Sequence, residues 1–266
     1  MELLTQLIAV NPDPPLTALL RQTCAATMSL PALPASGDPL EDHDVTVFAE
    51  QFSADVSAVS PELRKRFMKM FGAKAFHVAA LTYIADFVPR VRAGFAALGL
   101  PGFADPLEWD RDTDPVDLLL NRFAGTVGAM RELDPVTTEV VRLRGAAAHN
   151  CRLCKSLREG AALDAGGNES MYSEIELYES SALLSARHKA ALRYVDALVW
   201  TPSQIDTAVA AGVREHYSDA EATEITLDVM RNGINKIAVA LGGDAPRVSE
   251  GTERYLLGAD GQPVYS

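Results

Sequence analysis

Apolar residues recur at helical spacing along most of the chain. A short amphipathic run over residues 1–10 stops at the proline-rich residues 11–15, and Leu16, Leu19, Leu20 and Cys24 then mark one buried stripe up to about residue 28. Residues 29–39, rich in Pro, Gly and Ser, read as a linker. Helical patterns follow over 45–59, 61–71 and 73–98. Ser60 before Pro61 is a cap with a first-turn proline, and Pro89, inside the third pattern, predicts a kink or a split because it removes a hydrogen bond. The Pro- and Asp-rich residues 99–114 are the natural boundary. Beyond them, Asp114-Pro115 and Asp134-Pro135 each open a helix. Ser185 starts another, and residues 201–204 and 218–221 both match a capping box. Gly242 closes the last helix, and Asp260-Gly261 is a hairpin signal in the tail.

Residues 84–99 also overlay 227–242 without a gap, Val91 on Ile234 and Leu98 on Leu241, which suggests a duplicated helical unit. The pattern therefore predicts an all-α protein in three parts. Residues 1–105 form a helical half without a CxxC, residues 106–243 a second half that carries one, and residues 244–266 a tail that ends as a hairpin or as an arm to a neighbouring subunit.

The chemistry concentrates in residues 139–158, EVVRLRGAAAHNCRLCKSLR, which hold two of the three cysteines, Cys151 and Cys154. Two thiols three apart on a helical turn have Cα atoms roughly 5 to 6 Å apart, inside the range a disulfide bridges. Asn150 is a preferred N-cap, so the local reading starts a helix at Cys151 and puts both thiols in its first turn, where the dipole favours an anion. Arg152, Lys155 and Arg158 add positive charge, a setting that lowers a cysteine pKa. Glu139, twelve residues before Cys151, would lie about 18 Å from it on one continuous helix. A chain reversal at His149 and Asn150 brings the two closer. Arg158 falls at i,i+4 from Cys154, over the same helix face.

Glu139, Cys151 and Cys154 at this spacing resemble the active-site signature of AhpD-like alkylhydroperoxidases in the carboxymuconolactone decarboxylase superfamily, and residues 185–242 resemble that family's helical core. The resemblance implies an AhpD-like helical fold and a thiol-dependent peroxidase. Cys154 would be peroxidatic, Cys151 would resolve the sulfenic acid, and Glu139 would join a proton relay. A thioredoxin-like or lipoyl dithiol would serve as reductant, and the chain would form homo-oligomers. The family's relay histidine, four residues after the second cysteine, is Arg158 here, and a guanidinium cannot accept a proton. His149 is the nearby histidine that would have to stand in for it if the implied relay operates.

Composition narrows the alternatives. With 48% hydrophobic but only 7% aromatic residues the chain suits closely packed helices, and a net charge of −12 argues against nucleic acid. No apolar stretch reaches membrane-spanning length, and the N-terminus lacks a basic secretory n-region, so a cytoplasmic protein is expected. Three cysteines, one of them isolated at Cys24, exclude a disulfide scaffold. No motif calls for flavin or heme. Zinc on Cys151, Cys154, His149 and Glu139 is disfavoured because there is no second CxxC. Glu169, Glu174, Glu176 and Glu179 read as a solvated acidic face, or as a docking patch for a reductant. A decarboxylase-type lyase and a non-enzymatic redox sensor remain as other classes.

Overall fold

In the computed structural model, which describes residues 1–265, caps in the sequence set most helix starts. Asp13, Asp42 and Ser60 accept backbone N–H groups and open α2 (Pro14–Met28), α3 (His43–Ala54) and α4 (Pro61–Phe71), after a short α1 (Glu2–Ala9). Helix α5 (Ala75–Leu98) is the spine, buried on nearly every side. It passes Pro89 as one continuous helix, so of the kink or split expected there the split does not occur. Packing all round the helix outweighs a proline penalty of about 3 kcal/mol.

Residues 99–114 form the expected connector. Asp114 caps α6 (Pro115–Asp117), which widens into a π-helical segment, Leu118–Phe123, and continues as α7 (Ala124–Gly128). Asp134 caps α8 (Pro135–Ala148), which lies between α12 (Ala186–Trp200) and α14 (Asp219–Gly233). Between α8 and α12 come α9 (Arg152–Lys155), strand β1 (Leu157–Glu159), α10 (Gly160–Asp164) and α11 (Glu169–Tyr172). Ser218 and Glu221 form the capping box of α14 as expected. Residues 201–204 do not: Pro202–Gln204 is a 3-10 turn, and α13 (Thr207–His216) is capped by Asp206 instead. A one-residue interruption at Ile234 separates α14 from α15 (Asn235–Leu241).

The all-α expectation holds for the body and fails at one edge. Strand β2 (Glu253–Leu257) pairs parallel with β1 and antiparallel with β3 (Pro263–Tyr265), so the tail turns at Gly261 and folds back on its own chain. Its tip sits against α7 with almost no gap. A Cβ on Gly125 would lie 3.0 Å from the Asp260 carbonyl, and one on Gly128 or Gly261 would collide with backbone. The Gln262 amide donates to the Leu120 and Asn121 carbonyls of the π-helical segment. The main core draws on both sides of the connector, with Leu7, Phe48 and Phe87 alongside Leu119, Tyr194 and Met230. No helix among the described residues is long and apolar enough to cross a membrane.

Candidate active site

Helix α8 ends because Asn150 adopts left-handed φ, 50°. The N–H of Cys151 reaches the Ala146 carbonyl and that of Asn150 the Ala147 carbonyl, the double bond pattern of a Schellman stop. That stop is the chain reversal the sequence required. It also moves the expected cap: Asn150 closes α8, and Cys151 itself caps α9, its sulfur accepting the N–H of Cys154 at 3.2 Å. Cys151 and Cys154 are joined as a disulfide with Cα atoms 5.3 Å apart. Cys151 is fully buried, whereas Cys154 is partly exposed and lines a cavity of about 530 Å³ with Arg142, Asn232, Asn235, Tyr255 and Tyr265. Cys24 lies in the core, where burial pushes its thiol up to about 12.

The cations expected to favour a thiolate are occupied elsewhere. Helix α9 is a single turn, too short to sum a strong dipole. Arg152 forms an ion pair with Asp244, which also accepts the Arg152 N–H, and Lys155 donates to the Asn150 side chain. Arg158 lies in β1, not over the face of Cys154. The helix had already ended, and its guanidinium forms two bonds to Glu169 at 2.7 and 2.9 Å and stacks over Tyr172. The glutamates that read as an acidic face are therefore partly paired, Glu169 with Arg158 and Glu179 with Arg193.

Glu139 is buried, and Arg142, one turn along α8, binds its two oxygens at 2.6 and 2.7 Å. The remaining guanidinium donors go to the carbonyls of Cys154 at 2.9 Å and Leu157 at 2.7 Å, and Glu139 also accepts the N–H of Glu159. The carboxylate is thus tied to the reactive loop through Arg142, not through a sulfur. Burial opposes the charge on Arg142, but Glu139, together with Tyr255 and Tyr172, more than offsets it and raises the guanidinium further. The i,i+3 spacing of Glu139 and Arg142 was a readable sequence signal for this pair.

His149 is buried behind the disulfide, and burial, helped by the Lys236 ammonium, lowers it to about 3, so it is neutral at pH 7. Its Nδ1 lies 3.1 Å from Asn235 Oδ1, while Asn235 Nδ2 donates to Cys154 Sγ at 3.3 Å. With the amide in that orientation Nδ1 carries the proton, leaving Nε2 a bare acceptor with no partner among the described residues. Asn235 is where α15 starts. The interruption arises because the Ile234 N–H turns to the Arg231 carbonyl, and the Tyr83 hydroxyl from α5 takes over the Met230 carbonyl. Next to it, Lys236 is anchored to Asp86 of α5 at 2.6 Å, and Asp86 also pairs with Arg90. The first half of the chain thereby fixes a residue that touches the sulfur in the second.

No family model matches the sequence. The uncharacterized protein Rv2313c of Mycobacterium tuberculosis (strain ATCC 25618 / H37Rv) is 53% identical over 98% of this chain and 96% of its own length. The uncharacterized protein YnjA of Escherichia coli (strain K12) is 25% identical over 46% of this chain and 67% of its own. Among solved structures, the apo debrominase Bmp8 aligns at 18% identity with a TM-score of 0.40, covering 58% of this chain and 82% of that one, a distance at which it bears on neither fold nor chemistry.

Proposed function

We propose that this chain, which belongs to the family of the Mycobacterium tuberculosis protein Rv2313c, is an AhpD-like thiol-dependent peroxidase whose Cys151–Cys154 dithiol is restored by an external dithiol. One observation carries the reading: the two sulfurs bond to each other, and the more exposed of them faces a cavity while its partner is sealed behind it. In the reduced protein the Cys154 thiolate attacks the distal peroxide oxygen. The O–O bond breaks, the alkoxide leaves as an alcohol after taking a proton, and Cys154 becomes a sulfenic acid. The Cys151 thiol then displaces water to form the disulfide, and a thioredoxin-like or lipoyl dithiol reduces it by exchange. The Asn235 amide supplies a hydrogen bond to the attacking sulfur, and His149 holds that amide. Glu139 acts as a positioning residue through Arg142, because a guanidinium transmits orientation but no proton.

The test is peroxide consumption with excess dithiol. Wild type should turn over many times and Cys154→Ser should be inactive, while Cys151→Ser, reduced beforehand and freed of dithiol, should consume one peroxide per chain and stop at the sulfenic acid. Turnover by Cys154→Ser at the wild-type rate would refute the assignment. A redox sensor is the second reading, favoured by the engagement of Glu139 with Arg142 away from the sulfurs. It is recognised by a single oxidation with no turnover under any dithiol.

A further inference from the structure

A second, smaller cavity of about 150 Å³ lies on the far side of Arg231, whose side chain lines both spaces. The hairpin closes it with Leu256 and Leu257, and Val127, Leu133 and Pro135 give it an apolar wall. Three carboxylates line it: Glu159, Glu224 and Asp228. Two of them are engaged. Glu224 accepts the N–H groups of Glu132 and Leu133, and Glu159 accepts that of Ala162. Asp228 differs: it is 2% exposed, and its Oδ2 is buried with no hydrogen-bond partner among the described residues. Buried acceptors are almost always satisfied, so an unpartnered carboxylate oxygen on a residue that lines a cavity marks a place where a donor belongs.

The guanidiniums nearby do not supply it. Arg131 donates to the carbonyls of Gly128 and Met130, and Arg231 to those of Ala124 and Gly261. A metal ion is not the fit either. Among the described residues no three carboxylate, imidazole or thiol side chains are placed to hold one. At pH 8, above the value of about 7 to which burial raises Asp228, three carboxylates face two guanidiniums, which favours a cation, and the apolar wall favours a carbon body on it. A cavity of this size holds roughly a six-carbon molecule. We infer that the cavity behind the C-terminal hairpin is a binding site for a small primary or secondary ammonium compound, its N–H groups on Asp228 and its short alkyl body against Leu133, Pro135 and Leu257.

Calorimetric titration of the full-length protein at pH 8 with methyl-, propyl-, butyl- and octylammonium chloride tests this, with butan-1-ol and butyrate as uncharged and anionic controls. Propyl- and butylammonium should bind, octylammonium and the controls should not, and Asp228→Asn should weaken binding at least tenfold while its melting curve shows it folded. Cys154→Ser should bind as wild type does, which keeps the result independent of the peroxidase reading. The inference is overturned by the absence of ammonium binding, by equal binding of butan-1-ol, by unchanged affinity in Asp228→Asn, or by loss of binding in Cys154→Ser.

Discussion

The two cavities that share Arg231 are each backed by a buried titratable group with one orphaned atom, His149 Nε2 behind the thiols and Asp228 Oδ2 behind the hairpin. Burial acts on them in opposite directions. It lowers His149 to about 3 and raises Asp228 to about 7, so each is driven towards its neutral form. Asp86 shows what partners change. It is just as buried, yet Arg90 and Lys236 outweigh desolvation and hold it below the ordinary carboxylate range. Burial alone therefore does not decide charge in this protein; the presence of a fixed counter-ion does. The thiol side has such ion pairs built into its scaffold, at Glu139–Arg142 and Asp86–Lys236, and the hairpin side leaves its carboxylate waiting.

The comparison breaks most visibly if a counter-ion is removed. Arg142→Met leaves Glu139 buried without its cation and frees the Cys154 and Leu157 carbonyls, and it should cost about 3–5 kcal/mol in denaturant unfolding. Pairing it with Glu139→Gln should recover a large part of that loss. If the double variant is no more stable than the single one, the ion pair is not what sets the cost.

The next effect is a pH slope. Asp228 has a folded pKa above its unfolded value, so the protein gains nothing from ionising it and loses stability as pH rises from about 3.8 through 7. The groups acting on it besides burial are Arg231, Glu224 and Arg131. Between pH 5 and pH 8 this amounts to a loss on the order of 2–3 kcal/mol, and Asp228→Asn should remove it. His149 works in the reverse sense. Its folded pKa lies below the unfolded one, so stability falls as pH drops below 6.5 towards 3, by roughly 2 kcal/mol between pH 8 and pH 5. His149→Gln should flatten that limb. The two slopes oppose each other between about pH 4 and 6.5, so each single variant should expose the other's slope in thermal unfolding measured across that range.

How much of this could be read beforehand follows the range of the interactions. Cap residues such as Asp134 and Ser218 act within three residues and were legible, as were the cysteine spacing, the reversal at Asn150 and the turn at Gly261. Arg158 was misplaced because one unforeseen helix end, at Ser156, changes the periodicity from helix to strand and redirects every later side chain. The parallel pairing of β1 with the tail hairpin escaped notice because β1 is three residues long and finds its partner only in the tail. Asn235 could not be found at all. It reaches Cys154 across 81 positions, through an interruption caused by a tyrosine on a third element, and no local pattern carries that.

The smallest expected effect bears most directly on the sulfur. Asn235→Ala deletes the amide that donates to Cys154 Sγ and accepts from His149, at a site held by Lys236 and Tyr83 independently of the amide. The fold should therefore survive with a loss of about 1 kcal/mol, the usual net value of one hydrogen bond. Without that donor the Cys154 thiolate loses stabilisation of similar size, so its pKa should rise by about 0.7 unit and the peroxide-dependent oxidation rate near neutral pH should fall a few-fold. Asn235→Asp separates the two roles of the amide, since a carboxylate still accepts from His149 but repels the thiolate, and it should raise the thiol pKa further than Asn235→Ala does. A thiol titration by ultraviolet absorbance that finds the same Cys154 pKa in wild type, Asn235→Ala and Asn235→Asp would show that the amide only fills space.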